Sequence, residues 1–182
     1  PGEPGRPGVP GHPEGPGHPG HPGRPGHASS DGIRILDLGT GSGVLAVAAL
    51  RLGAAHITAL EADPPSVDHA RETFRRNGVE ALVDLRQIRA GPAHLRRLPP
   101  MDGVLANVEG PVLEPLLPSL MTVVKPGGWL LSAGLGREDE GWFEAQVTEA
   151  GGAIHHRLAE GGWVAYWVRR PAEDHPTPRS LT

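Results

Sequence analysis

Between residues 31 and 170, hydrophobic and polar positions follow two alternating rhythms. Short apolar runs of strand length alternate with segments whose apolar residues recur every three or four positions, as on one helix face. Ile33–Leu38 reads as a strand and Val44–Leu52 as an apolar helix ending at Gly53. His56–Glu61 reads as a second strand. Asp63 caps the next helix, with Pro64 at its first position, where a missing N–H costs nothing. Val67, Ala70 and Phe74 share one face of that helix, and Asn77-Gly78 stops it. Ala81–Ile88 is a third strand, followed by an irregular stretch with Pro92, Pro99 and Pro100, and Gly103–Val108 is a fourth. Val112–Val124 carries Leu113, Leu116, Leu117, Leu120 and Val124 at helical spacing. Pro115 and Pro118 remove backbone donors there, so a kinked helix or a later start is expected. Lys125–Gly128 reads as a turn and Trp129–Ala133 as a fifth strand. Glu138, Asp139 and Glu140 suit the start of a helix that runs to Ala150 and stops at Gly151-Gly152. Ala153–Leu158 and Trp163–Val168 close the pattern as a hairpin around Gly161-Gly162. This order predicts an α/β domain with a seven-stranded, mostly parallel sheet, helices on both faces and a terminal antiparallel hairpin.

Composition divides the 182 residues into unlike regions. Residues 1–30 are dominated by Pro and Gly, with Gly at positions 2, 5, 8 and 11 and again at 17, 20, 23 and 26. This interrupted period of three is expected to form a collagen-like or disordered segment, and an extended polyproline-II linker is favoured over a trimerising triple helix. His12, His18, His21 and His27 match no closed metal site, and no metal is expected. Residues 31–170 are long enough for one core, and 171–182 read as a disordered tail. The chain opens on Pro1, so a fragment or processed product is expected. There is no cysteine, which fits a reducing compartment, and the net charge of −4 offers no general attraction to nucleic acid or anionic membrane. No run approaches the ~18 apolar residues of a membrane span.

The candidate chemistry begins at Asp37-Leu38-Gly39-Thr40-Gly41-Ser42-Gly43, a strand end running into a glycine turn and a helix. A dinucleotide fingerprint needs Gly-x-Gly-x-x-Gly, and here the third glycine comes one place early. A phosphate-cradling Walker loop needs a Gly-Lys-Ser/Thr, which is absent. The Asp-x-Gly-x-Gly-x-Gly spacing instead resembles the S-adenosylmethionine loop of class I methyltransferases. That resemblance implies that Asp37 organises the loop and the amino-acid end of the cofactor. It also places Gly39, Thr40, Gly41 and Gly43 in the cofactor-binding turn. Glu61 ends the second strand about twenty residues beyond the turn, where a carboxylate can accept hydrogen bonds from ribose hydroxyls.

The segments ILDLGTGSGVLAVAALRLGA, ITALEADPPSV, RRNGV, DGVLANV and VVKPGGWLLSAGL, in this order and spacing, resemble the bacterial PrmA-type methyltransferases. These enzymes trimethylate amino groups of large-subunit ribosomal protein L-eleven. The resemblance covers residues 31–170 and implies a Rossmann-like sheet, S-adenosyl-L-methionine as cofactor, a protein substrate that includes the ribosomal protein as a candidate, and a cytoplasmic location. The family's N-terminal recognition domain and the threonine-rich segment before the first strand have no match in residues 1–30. The resemblance places Asn107 at the site, as the catalytic residue and a cofactor neighbour. Its side-chain carbonyl can accept a hydrogen bond from the attacking amine and aim the lone pair. The following Val108-Glu109-Gly110 supplies no aromatic to stack a base, which favours a protein amine over nucleic acid. Glu109 either attracts a substrate ammonium or faces solvent. Trp129, Trp142, Trp163 and Trp167 are expected to be packing residues. A small-molecule or RNA N-methyltransferase, and a truncated cofactor-binding module without activity, remain the alternatives. Oligomeric state is not legible.

Overall fold

The computed structural model describes residues 32–172. The Pro/Gly-rich prefix with its four histidines, and the tail from residue 173, lie outside the described residues. Seven strands form one sheet: β1 (Ile33–Leu38), β2 (Ala54–Glu61), β3 (Val83–Gln87), β4 (Met101–Asn107), β5 (Val124–Gly136), β6 (Ala153–Glu160) and β7 (Trp163–Arg169). Their order across the sheet is β3-β2-β1-β4-β5-β7-β6. The pairs from β3 to β5 are parallel, and β7 runs antiparallel to both β5 and β6.

Successive side chains of a strand point to opposite faces, and β1 shows the consequence. Leu36 and Leu38 join the larger core with Leu113, Leu117, Leu120 and Phe143 from α4 (Gly110–Leu113), α5 (Leu117–Val123) and α6 (Glu140–Glu149). Ile35 joins the smaller core with Ala46 of α1 (Val44–Arg51) and Ala70 and Phe74 of α2 (Pro64–Arg76). Leu117 and Leu120 are fully buried. Burying a side chain of this size stabilises the fold by roughly 1.5–3 kcal/mol relative to leaving it in water.

The element boundaries depart from the sequence pattern where proline and glycine act. The helical pattern of Val112–Val124 is divided into α4 and α5, with Pro111 and Pro118 each in a first turn and Pro115 in the break between them. A single-turn helix, α3 (Pro92–Leu95), forms in the stretch expected to be irregular. A short 3-10 turn, Glu80–Leu82, occupies the expected start of the third strand, so β3 begins at Val83. The expected turn at Lys125–Gly128 is absorbed into β5 as an irregularity in its pairing with β4, and Gly127 has φ 77° there. Arg170 holds this region by donating to the carbonyls of Met121, Thr122 and Val124.

The tryptophans separate into two pairs. Trp129 and Trp142 are half-buried against the two cores. Trp163 and Trp167, expected to pack, are 59% and 41% exposed. On β7 the alternation sends Val164, Tyr166 and Val168 toward α6, which leaves Trp163 and Trp167 on the opposite face.

Candidate active site

The parallel sheet reverses direction of growth between β1 and β4, and ligands of open α/β sheets bind beyond the carboxyl ends of the strands at such a point. Register brings the candidate residues together. Leu38 pairs with Leu60 on one side and with Ala106 on the other. Glu61, the Gly39–Gly41 turn and Asn107 therefore emerge side by side from β2, β1 and β4.

The turn is fastened from beneath and from the side. The Gly39 and Thr40 N–H groups both donate to the Leu60 carbonyl, at 2.8 and 3.0 Å. The Glu61 carboxylate accepts from Gly41 N–H at 2.9 Å through Oε2. Its Oε1 accepts from Ala62 and Asp63 N–H at 2.7 and 2.9 Å. Gly39 has φ 67° and Gly41 φ 54°, a region costly for residues with a Cβ. A Cβ on Gly39 would also lie 2.5 Å from Val108 Cγ1, so the turn and the end of β4 touch.

Asp37 lies beneath the turn and is 1% exposed. Thr40 Oγ1 donates to its Oδ2 at 2.6 Å, while Oδ1 lacks a partner of normal hydrogen-bond geometry. Burial pushes the Asp37 carboxyl up to about 6; the Thr40 hydroxyl and the Ala46 backbone N–H offset this in part, and the Glu61 charge adds to it. Thr40 is itself buried, so its hydroxyl serves Asp37. Gly43 is also buried, and a Cβ there would meet the Phe74 ring at 2.6 Å. Its smallness lets α1 start directly against α2.

Two cavities flank the end of β4. One, of about 490 Å³, includes Gly39, Glu61, Ala62, Asp63, Ile88, Arg89 and Val108 in its lining. The other, of about 400 Å³, includes Glu109, Gly110, Gly134, Gly136, Glu138 and Trp163. Val108 faces the first and Glu109 the second. Asn107 is exposed and immediately precedes these two residues. The wall from Gly134–Gly136 escapes sequence reasoning, because it belongs to a chain segment remote from the glycine turn. The Gly134 and Gly136 pair at a strand end was the available signal for this wall.

S-adenosylmethionine, the cofactor implied by the glycine spacing, fits the first cavity on three observations. Gly39 brings backbone without a side chain to the cavity wall, Glu61 presents a carboxylate to the cavity, and the Asp37 carboxylate beneath the turn keeps an unpartnered oxygen. No group of three or more metal-ligating side chains occurs among the described residues.

The sheet order with its terminal hairpin, together with the cleft at the β1/β4 reversal, defines a class I S-adenosylmethionine-dependent methyltransferase fold. A family model described as ribosomal protein L11 methyltransferase (PrmA) matches residues 27–171, and the chain belongs to that family. It is 38% identical over 143 residues to the ribosomal protein L11 methyltransferase of Symbiobacterium thermophilum, covering 77% of this chain and 44% of that protein. The Chloroflexus aurantiacus ribosomal protein L11 methyltransferase is 37% identical over 161 residues, covering 77% and 49%. The crystal structure of ribosomal protein L11 methylase from Lactobacillus delbrueckii subsp. bulgaricus superposes with a TM-score of 0.70 at 25% identity, covering 79% of this chain and 73% of that one. The chain thus spans about half the length of the curated relatives it matches.

Proposed function

We propose that this chain carries the methyl-transfer centre of a protein N-methyltransferase whose acceptor is an amino group, with a large-subunit ribosomal protein as the first candidate. The observation that supports the reading is that exposed Asn107 immediately precedes Val108 and Glu109, which line two different cavities, the second including Gly134 and Trp163. The relatives' names supply the ribosomal protein as candidate, and a cytoplasmic location belongs to the same proposal. No helix among the described residues is long and apolar enough to cross a membrane.

S-adenosylmethionine supplies an electrophilic methyl group on a sulfonium. In this reading Gly39 and Gly41 let the backbone approach it, Asp37 holds its amino-acid end, with Thr40 bonding that carboxylate, and Glu61 meets its ribose. The Asn107 carbonyl oxygen accepts a hydrogen bond from the neutral acceptor amine and points the nitrogen lone pair toward the first cavity. Burial of the amine near a cationic centre lowers its pKa and favours the neutral form. Positioning carries most of the acceleration, since in-line methyl transfer asks for no metal and little proton chemistry. Gly43 is assigned to packing against Phe74 rather than to cofactor contact.

The test is incubation with radiolabelled S-adenosylmethionine and purified large-subunit ribosomal protein, with cofactor binding followed by calorimetry. Label in the protein's amino groups supports the proposal. Binding without transfer to that protein would remove the acceptor assignment, and absence of cofactor binding would remove the whole reading.

A further inference from the structure

Asn107 is exposed, and among the described residues nothing hydrogen-bonds its side chain. Its aim is therefore set by its backbone, and three contacts hold that backbone. Val108 rests on Gly39, as described above. On the β5 side, a Cβ on Gly134 would come within 3.0 Å of both Asn107 Oδ1 and the Val108 carbonyl. Gly134 has φ 79° and sits where the β5–β7 register shifts, so the β5 backbone bulges against the loop.

The third contact is the tightest. A Cβ on buried Gly110 would lie 2.3–2.4 Å from Cγ, Oδ1 and Oδ2 of Asp139 together. The Asp139 carboxylate thus lies flat against the Gly110 backbone, three residues beyond Asn107. Asp139 occupies the N-cap position of α6, yet its side chain makes no capping bond to that helix. Its oxygens are committed elsewhere. Oδ2 accepts from Gly136 N–H at 2.8 Å and Oδ1 from Trp142 Nε1–H at 3.0 Å. Trp142 packs edge-on to Phe143, and Phe143 stacks on Tyr166, with ring centroids 5.8 and 4.5 Å apart. Charge-assisted acceptor bonds to two fixed donors make the carboxylate a rigid stop. It joins the aromatic core under α6 to the loop after β4.

We propose that Asp139 is a positioning residue for methyl transfer, fixing the aim of Asn107 by bracing the β4 loop at Gly110. The proposal rests on the reading of Asn107 given above. Asp139 also lines the second cavity, but it acts here through the loop.

The test uses the whole chain in two parallel measurements. In the first, turnover at saturating cofactor is compared for wild type, Asp139→Ala, Asp139→Asn, Asn107→Ala and the Asn107→Ala/Asp139→Ala double variant. Displacements of about 1 Å can cost on the order of a hundredfold in rate, and Asp139→Ala is expected to lower kcat by about ten- to a hundredfold with cofactor affinity unchanged. Asp139→Asn keeps the shape and one acceptor and should recover part of that loss. In the Asn107→Ala background the further loss should vanish, because the aimed group is gone. In the second, the Asn107 side-chain amide signals are followed by nuclear magnetic resonance with bound cofactor product. Their chemical shifts should change in Asp139→Ala and their relaxation should report greater side-chain motion than in wild type, and this readout needs no turnover. If wild type transfers no methyl group but the Asn107 signals respond to Asp139→Ala, the activity reading fails and the bracing stands. An equal loss with and without Asn107, or unchanged Asn107 signals in folded Asp139→Ala, would overturn it.

Discussion

Glu61 Oε2 accepts the Gly41 N–H at 2.9 Å, so the acid that ends β2 holds the glycine turn that follows β1. Its other oxygen already receives two backbone N–H groups. A carboxylate offers about four lone-pair directions, and three are occupied before any ligand arrives. Beyond the ribose role expected of it, Glu61 therefore has a task within the fold itself. It shapes the turn, and one acceptor direction is left for a hydroxyl.

Glu61→Gln should consequently be more damaging than its size suggests. An amide NH2 replaces one carboxylate oxygen and faces a backbone N–H. Cofactor binding should weaken by about 1–3 kcal/mol, as for a charged hydrogen bond lost in a closed site. Gly41 amide exchange should also quicken without cofactor. Wild-type calorimetry together with unchanged Gly41 exchange would show that Glu61 serves neither role.

Asp37 sets a pH dependence whose sign follows from its environment. Its carboxyl is raised from 3.8 to about 6 by burial, so the folded state takes up a proton between those values while the unfolded chain does not. Its contribution to stability is fully present below about pH 3.8 and is lost as pH rises through about 6. A shift of this size corresponds to on the order of 2–3 kcal/mol at neutral pH. Asp37→Asn should thus be the more stable protein at pH 8, with the gap closing toward pH 3.5. Urea unfolding across that range measures it, and a pH-independent gap would count against the linkage. If Asp37 meets the cationic end of the cofactor, wild-type affinity should also fall as pH drops through about 6.

Gly134→Ala tests the β5 side of the loop. The added Cβ meets Asn107 Oδ1 and the Val108 carbonyl, and φ 79° is unfavourable for alanine. Turnover should fall about tenfold or more by misplacement of Asn107, while the cofactor dissociation constant moves little. An equal loss in both would mean that the disturbance spreads through Val108 into the glycine turn.

Gly103→Ala probes the core independently of the site. On β4, a Cβ would lie 2.2 Å from Trp129 Cζ2 on the neighbouring strand, and the indole must move. Overpacking of this kind costs about 1–3 kcal/mol. The midpoint of denaturant unfolding should drop accordingly, and an unchanged midpoint would show that Trp129 has room to shift.

Much of the fold was legible along the chain. Asp63 caps α2 through Ser66 N–H, and Gly39 and Gly41 take the positive φ values a tight turn requires. These are settled within a few residues. Pro115 and Pro118 likewise announced a disturbed helix, although only packing divided it into α4 and α5. The contact of Gly43 with Phe74 was not legible, because a glycine beside a ligand and one beside a phenylalanine look alike in sequence. Trp163 was misleading because an edge hairpin can turn a large ring either toward the core or toward a cavity.

The sequence by itself determined the rhythm of strands and helices, the glycine turn and the acidic strand end, since each depends on backbone preferences and side chains close along the chain. Only the tertiary structure decided which of these meet. The β2-β1-β4 register places Glu61 and Asn107 on either side of Gly39, and the β5 bulge and Asp139 then close on the same loop. Those contacts join residues tens of positions apart, and they form because two buried faces can be satisfied together only when the sheet is assembled in this order.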